Sequence, residues 1–255
     1  MTLKPVCYDD NQHKGYREGR ALDPEQMAQW AEVFAAEAPL ARPLDVLDLG
    51  SGVGRFTPLL AETFGGRAWG VEPSAKMRAL ADAHAAHQRV AYLEGSGEAI
   101  PLPDASVDLV LMFLSFHHMP DRATAAAEIA RVLKPGGRVL LRSVFSDRMP
   151  ELDWHRYFPR ARAVEMQMFP TLGEAEQAFA TTGFRTLSLH TVEERFAPTL
   201  REHARRLRLR AVSTFEHLSE AEIQEGFARL DTALETEAAE RPVRALADLL
   251  VLGRA

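Results

Sequence analysis

Between residues 45 and 145 the chain alternates short, continuous apolar runs with segments whose apolar residues recur at helical spacing. Such runs are typical of strands buried in a parallel sheet, and the helical stripes are typical of helices that pack on it. The pattern predicts strands at 45–49, 68–72, 90–94, 107–114 and 138–145. This alternation indicates βαβ units, and therefore a mostly parallel sheet flanked by helices.

Helix start and stop signals agree with this pattern. Asp23, Pro24 and Gln26 form a capping box with proline in the first turn, which predicts a helix over residues 23–37. Ser74 and Asp121 are predicted caps of later helices, at 74–87 and after 121. The polar segment before the first helix, residues 8–20, is either a disordered tail or a flap folded over a site.

The regular alternation stops after residue 145. Residues 151–170 are rich in aromatic and methionine side chains and show no clear period. Beyond them the pattern predicts a short helix at 174–181, a strand at 184–190, two or three helices within 198–241, and a closing strand at 249–253.

The composition of the chain argues against several classes of protein, among them nucleic-acid-binding, disulfide-rich and membrane-spanning proteins. The 255-residue chain is 46% hydrophobic and 26% charged, with a net charge of -6, which disfavours nucleic acid as a general partner. Its one cysteine, Cys7, excludes an internal disulfide and a zinc site of several thiolates, and we predict no metal site. The longest apolar run is too short to span a bilayer and the first residues lack a signal-peptide core, so we expect a cytoplasmic protein.

A glycine-rich turn follows the first predicted strand. Asp48 precedes Gly50, Gly52 and Gly54, so that backbone approaches a ligand without Cβ atoms in the way. A dinucleotide-binding turn has the spacing G-x-G-x-x-G, whereas Arg55 occupies the third glycine position here. An acid at the end of the next strand, Glu72, would accept the ribose hydroxyls of NAD or of adenosylmethionine alike, so this residue alone does not separate the two cofactors.

Four motifs spread over residues 46–145 distinguish the two cofactors. They are VLDLGSGVGRF, VEPSAKM, GSGEAIPLPDASVDLV and RVLKPGGRVLL. As a set they resemble the class I S-adenosylmethionine-dependent methyltransferases, in the branch of ubiquinone/menaquinone-type and natural-product enzymes. The resemblance implies an α/β fold with a Rossmann-like sheet, mostly parallel with an antiparallel last strand, flanked by helices and carrying a helical cover.

The resemblance also implies a binding site for S-adenosylmethionine, which leaves as S-adenosylhomocysteine. Gly50, Ser51 and Gly52 would line its methionine part with Asp48 near the amino group, and Glu72 would hold the ribose. The remaining implied positions border the adenine, the sulfonium or the carboxylate: Pro73, Met77, Ser96, Gly97, Glu98, Leu114, Ser115, Tyr16 and Arg20. Ser96 stands where many family members have aspartate, so adenine recognition would depend more on backbone groups.

Two histidines follow the fourth predicted strand, in the sequence Ser115-Phe116-His117-His118. The resemblance places this turn beside the sulfonium. A methyl acceptor whose attacking atom carries a proton needs a base to remove it. An imidazole titrates near neutral pH, so His117 and His118 are the candidate bases. Alternatively, the pair only shapes the pocket. The turn lacks the N/D-P-P-Y/F pattern of enzymes that methylate exocyclic amines of nucleobases or glutamine amides, so those substrates are disfavoured.

The aromatic region after residue 145 is the expected substrate site, with Trp154, Tyr157 and Phe158 as candidate contacts. We predict one domain over residues 1–255, with an N-terminal lid and helix at 1–40, a cofactor-binding core at 44–147, and substrate-cover insertions at 148–172 and 197–242. Arginines clustered between 201 and 210 are either an anion site or a solvated helix face.

The leading hypothesis is methyl transfer from S-adenosylmethionine to an O, N or C atom of a small, partly apolar metabolite. Three alternatives stay open. They are RNA modification, which only the arginine cluster favours; binding of the cofactor without turnover; and a nicotinamide oxidoreductase, which Arg55 disfavours.

Overall fold

The computed structural model describes residues 3–4, 6–236 and 239–254. In these ranges the strands form one seven-stranded sheet in the order β3-β2-β1-β4-β5-β7-β6. The strands are β1 Leu44–Leu49, β2 Gly65–Glu72, β3 Val90–Glu94, β4 Val107–Phe113, β5 Leu133–Ser143, β6 Phe184–Ala197 and β7 Val243–Arg254. The first five are parallel, and β7 pairs antiparallel with both β5 and β6. The predicted sheet is therefore confirmed.

Helices cover both faces of this sheet. They are α1 His13–Gly19, α2 Pro24–Glu37, α3 Thr57–Phe64, α4 Ala75–His84, α5 Arg122–Val132, α6 Pro159–Met168, α7 Leu172–Ala180, α8 Leu200–Leu207 and α9 Glu220–Thr236. The capping box of α2 is present, because Asp23 accepts from Gln26 N at 2.9 Å and Gln26 Oε1 accepts from Asp23 N at 3.4 Å. None of the helices in the described part of the chain combines the length and apolar character that crossing a bilayer needs.

Two hydrophobic clusters hold the helices to the sheet. On one face Trp30 and Phe34 of α2 pack with Leu60 of α3, and on the other Ile129 of α5 packs with Phe179 of α7. A third cluster belongs to the cover, which is formed by residues 152–168, 197–230 and neighbouring positions. The cover thus has a core of its own beside the carboxyl ends of the parallel strands, where ligands bind in open α/β sheets.

The last two strands are longer than the sequence pattern predicted. β6 and β7 pair from Phe184↔Arg254 to Ala197↔Val243, so the predicted strands at 184–190 and 249–253 are only parts of them. β6 lies at one edge of the sheet, and most of its side chains are half-buried or exposed without a regular alternation. An edge strand carries polar residues and gives no continuous apolar run, which is why its second half was missed.

Candidate active site

The glycine turn lies between the carboxyl ends of β1 and β2. Gly50, Gly52 and Gly54 all adopt positive φ, at 77°, 56° and 75°. A Cβ on Gly50 would lie 2.3 Å from Ser115 Cβ, and one on Gly54 would lie 2.2 Å from the Tyr92 hydroxyl. Backbone conformation and close packing therefore both require glycine at these two positions.

Glu72 joins this turn to the start of α4. Its Oε2 accepts from Gly52 N at 3.0 Å and its Oε1 accepts from Ser74 N at 3.0 Å, in a side chain that is buried. Burial raises the pKa of this carboxyl group, and the two backbone donors oppose that rise. Each carboxylate oxygen keeps a further lone pair. Glu72 is thus placed to accept from two neighbouring hydroxyl groups.

Asp48 connects β1 to α3 below the turn. Its Oδ2 accepts from Thr57 Oγ1 at 2.7 Å, and burial raises its pKa to about 6. Ser51, the next buried polar side chain, has an Oγ that finds no hydrogen-bond partner among the described residues. The structure therefore places Asp48 and Ser51 at the glycine turn that, with Glu72, we call the cradle. The Ser51 hydroxyl is left without a hydrogen-bond partner among the described residues.

The residues expected around an adenine ring lie at two places, the start of α4 and the turn at 96–99. Met77 is buried beside Gly52, and Pro73 is exposed with its carbonyl accepting from Arg78. Ser96 and Ala99 exchange backbone hydrogen bonds, both of 3.3 Å, which makes 96–99 a tight turn. Within it Gly97 lies against Met119, and Glu98 accepts from Asp121 N at 3.2 Å, at the start of α5.

The segment after β4 fastens three strand ends together. Ser115 Oγ donates to Leu49 O of β1 at 2.6 Å, and Leu114 N donates to Arg142 O of β5 at 2.9 Å. Leu114 has a φ of 57°, which is uncommon for a residue with a branched side chain. Such backbone strain costs about 1–3 kcal/mol and is concentrated at functional sites.

The two histidines stand next to each other on a wall of a cavity. Their ring centroids are 3.9 Å apart, and the ring of His117 lies 4.2 Å from that of Phe169. His118 Nε2 lies 2.8 Å from the Tyr8 hydroxyl, whereas His117 Nδ1 is buried and has no partner among the described atoms. Burial lowers the pKa of His118 to about 4 and that of His117 well below its ordinary value. Both rings are therefore neutral near pH 7, and His117 has a nitrogen free to accept a proton.

The N-terminal segment is a flap across this site. Asp9 accepts from Ser74 Oγ at 2.5 Å and from Lys76 N at 3.0 Å, which fixes the segment on α4. Further along, Tyr16 lies 3.8 Å from the position of a Cβ on Gly52, and Arg20 faces the cavity. Residues 8–20 are thus folded and packed on α4, and their role as a lid stays a prediction.

The cavity extends from the histidines into the cover. Its apolar lining includes Leu152, Trp154, Phe169, Phe196, Leu207 and Leu246. Polar groups also face it, among them Glu165, His203, Ser213 and Thr214. A mixed lining with a few polar groups is typical of a small-molecule site.

The chain matches the family described as methyltransferase domain over residues 47–141. It is 32% identical over 167 residues to the demethylmenaquinone methyltransferase of Lactiplantibacillus plantarum, a match that covers 60% of this chain and 70% of that protein. The chain belongs to the class I methyltransferase family. The resemblance seen in the four motifs is thereby confirmed.

Other relatives agree with this assignment. An uncharacterised methyltransferase of Mycobacterium tuberculosis is 40% identical over 141 residues, covering 55% of this chain and 53% of that protein. The chain thus spans about half the length of the mycobacterial relatives it matches. A crystal structure of a putative methyltransferase from an antibiotic biosynthesis pathway of Anabaena variabilis has the same fold, with a TM-score of 0.72 at 19% identity over 93% of this chain and 100% of that one.

Of the three aromatic residues predicted to contact substrate, the structure brings only Trp154 to the methyltransferase cavity. Phe158 packs on Phe215 and Phe227, with centroids 5.3 and 5.2 Å away, and Tyr157 belongs to the same buried cluster. They lie there because the cover needs its own hydrophobic core. The cavity residue Phe169 lies in the same aromatic-rich segment 151–170, whose composition did not separate it from Tyr157 and Phe158. Phe196 lies near the end of β6, beyond the strand predicted at 184–190.

The clustered arginines on and after α8 are paired with acids. Arg205 and Arg206 bind Glu202, Arg208 binds Asp231, Arg210 binds Glu220 and Arg201 binds Glu240. Each guanidinium of the cluster already has a carboxylate partner. The cluster is therefore better described as a helix face with surface ion pairs than as an anion site.

Proposed function

We propose that this protein transfers the methyl group of S-adenosylmethionine to an atom of a small, partly apolar metabolite. The observation that carries the proposal is the convergence of two features: the Glu72–Gly52 cradle, and a cavity with two neutral histidines where β4 ends. The first feature fits the cofactor, and the second fits an acceptor. The N-terminal flap closes over both.

The residues of the cradle fit S-adenosylmethionine. Glu72 has lone pairs for both ribose hydroxyls, and Ser51 offers a buried hydroxyl with no partner among the described residues. Gly52 lacks a side chain where Tyr16 and Met77 approach. When bound, the cofactor supplies an electrophilic methyl group on a sulfonium.

The other cofactor positions follow from the same placement. Arg20 faces the cavity and its guanidinium has no carboxylate partner among the described residues, so we assign it to the methionine carboxylate. Asp48 supports the amino group, and Leu114 and Ser115 border the sulfonium. The adenine lies among the remaining positions, namely Pro73, Met77, Ser96, Gly97 and Glu98.

His117 is the proposed general base. Its Nδ1 is unpaired among the described atoms, and burial keeps the ring unprotonated near pH 7, so that the ring is available as a base for a hydroxyl, phenol or ammonium acceptor. His118 is held by Tyr8 and positions the turn. Trp154 and Phe169 exclude water and orient the acceptor, which supports an in-line transfer.

The paired arginines favour a small acceptor over RNA, because an RNA-binding face needs cations that are free to contact phosphates. Binding without turnover remains the main competing function.

Two measurements test the proposal. Thermal-shift titration should show stabilisation by S-adenosylmethionine and S-adenosylhomocysteine but none by NAD(H), and the reverse pattern would refute the cofactor assignment. Incubation with methyl-labelled cofactor and a metabolite library should then transfer label to an acceptor. Binding with no transfer to any metabolite would favour a non-catalytic binding protein.

A further inference from the structure

Three arginines, Arg20, Arg55 and Arg142, line the cavity together with the carboxylate of Glu194. Glu194 is already engaged, because it forms a buried ion pair with Arg142 and accepts from Trp30 Nε1 at 3.0 Å. It attracts Arg55 as well, but from beyond ion-pair distance.

Arg55 has no carboxylate partner in the described part of the chain. Its Cζ lies 5.1 Å from the ring centroid of Phe56 and 5.2 Å from that of Phe113, and one terminal nitrogen donates to Arg20 O. Burial lowers its pKa to about 10, so the group is still charged at neutral pH. Its Nε–H is buried and finds no acceptor among the described atoms.

Arg142 presents a second unpaired donor at the same place. The residue is 2% exposed, and its Cζ lies 4.9 Å from the centroid of Phe113, the ring that Arg55 also contacts. Its Nε–H likewise has no acceptor among the described atoms. Two buried donors on charged groups are unfavourable unless an anion or an acceptor reaches them.

The other cavity groups are engaged elsewhere or uncharged. Glu165 accepts from Thr214 at 3.0 Å and lies 2.8 Å from His155 Nε2, and Arg206 is paired with Glu202. Burial lowers the pKa values of the cavity histidines His117, His118 and His203, so they add no positive charge near pH 7. The cofactor assigned above has one carboxylate, which Arg20 accommodates, so the Nε–H groups of Arg55 and Arg142 stay without an acceptor among the described atoms.

We propose that the methyl acceptor is an organic anion whose carboxylate is bound by Arg55 and Arg142, with its apolar body against Trp154 and Phe169. This proposal rests on the proposed methyltransferase function. Charge-assisted hydrogen bonds from guanidinium to carboxylate are among the stronger polar contacts in proteins. A cationic acceptor would meet repulsion from the same groups and from the sulfonium.

The test compares matched acids and amides on protein saturated with S-adenosylhomocysteine, so that the cofactor's own carboxylate site is filled. The probes are benzoate and benzamide, phenylacetate and phenylacetamide, and 4-hydroxybenzoate and 4-hydroxybenzamide, measured by titration calorimetry. At least one acid should bind about tenfold or more tightly than its amide, the range expected for hydrogen bonds to a charged group. Arg55→Gln should remove most of that preference, and Arg55→Lys should restore part of it.

Arg210→Gln is the matched control, because Arg210 is paired with Glu220 and is not among the residues that line the cavity. It should leave the preference for the acid unchanged. If no acid binds more tightly than its amide, or if acids bind only by displacing S-adenosylhomocysteine, the proposal is overturned and the arginines serve the cofactor alone. Failure of S-adenosylhomocysteine itself to bind would instead refute the proposed function. The comparison on the unmodified protein stands even if the Arg55 variants do not fold.

Discussion

The hydroxyl of Tyr8 lies 2.8 Å from Nε2 of His118, so the first ordered turn of the flap is bonded to the turn that follows β4. Burial raises the pKa of the Tyr8 phenol, so the hydroxyl keeps its proton. One hydrogen bond thus joins the flap to the proposed catalytic wall.

Removing this hydrogen bond should loosen the flap. Tyr8→Phe keeps the ring contact with Tyr16 but removes the hydroxyl group. One lost hydrogen bond should weaken the attachment of the flap by about 1 kcal/mol. Affinity for S-adenosylhomocysteine should fall about fivefold, and amide exchange in residues 8–20 should speed up. Lys14→Ala, at an exposed position of the same segment, is the control. Unchanged exchange in Tyr8→Phe would show that Asp9 alone holds the flap.

Glu72 should dominate cofactor affinity. Glu72→Ala removes the acceptor for two ribose hydroxyls and for the amides of Gly52 and Ser74, and two lost bonds to a charged group predict a decrease of about a hundredfold or more. Calorimetry with S-adenosylhomocysteine measures the change. Glu94→Ala, at the end of the neighbouring strand β3, is exposed and should have little effect. If Glu72→Ala and Glu94→Ala lose affinity for S-adenosylhomocysteine equally, the ribose does not lie at Glu72.

The two histidines should differ in kinetics. His117→Asn should lower kcat by about 10²–10⁴ at unchanged cofactor affinity, the usual contribution of a general base. His118→Asn should mainly weaken binding, because His118 is held by the flap. Because burial lowers the pKa of His117, acidification through the ordinary histidine range should leave kcat undiminished by protonation of this residue. A loss of kcat centred near pH 6.5 in the native protein would contradict this assignment.

Gly50 and Gly136 offer a matched pair for the backbone of the cradle. Both have nearly equal positive φ, 77° and 76°, but a Cβ on Gly50 meets Ser115 at 2.3 Å whereas a Cβ on Gly136 meets nothing within 4 Å. Gly136→Ala should cost only the conformational strain, about 1–2 kcal/mol. Gly50→Ala should cost about 1–3 kcal/mol more because of overpacking. Urea unfolding measures both, and equal losses would exclude the predicted clash.

His203 should make stability sensitive to acid. Its side chain is buried and its pKa is lowered to about 4, chiefly by burial, whereas the unfolded chain has an ordinary histidine. Between these pKa values the unfolded state binds more protons, so the contribution is complete above about pH 6.5 and is lost as the pH falls to 4. The loss amounts to at most about 3 kcal/mol.

The check is urea unfolding at several pH values between 4 and 7. His203→Gln should flatten the dependence, whereas His84→Gln, at an exposed position, should not. Opposing contributions come from Asp48 and Glu72, whose raised pKa values favour the folded state as the pH falls. If the free energy of unfolding of His203→Gln depends on pH as steeply as that of the native protein, the lowered pKa of His203 would be refuted.

The cradle was predictable because its determinants are local. A positive φ at Gly50 and an acid at the end of the next strand are dictated by neighbours along the chain and by the register of two adjacent parallel strands. The apolar runs fixed the order and type of the first five strands for the same reason. The full lengths of β6 and β7 escaped, because most side chains of β6 are half-buried or exposed and the first part of β7 gives no continuous apolar run.

The acceptor cavity was not predictable in this way. Trp154 and Phe158 are close in sequence, alike in chemistry and both part of the buried cluster of the cover, yet of the two only Trp154 also lines the cavity. Likewise, Arg142 forms an ion pair with Glu194 across a separation of 52 residues, while Arg55 forms no ion pair in the described chain. These outcomes depend on how three separate segments pack together.

The sequence by itself therefore determined the sheet, the glycine turn and the family, since these depend on short-range backbone geometry and on regular periodicity. Only the tertiary structure decided that residues 8–20 pack on α4, that the arginines near α8 are paired, and that two arginines with unpaired Nε–H groups line the cavity. The physical reason is that burial and charge balance are properties of a packed environment, which residues far apart in the chain create together.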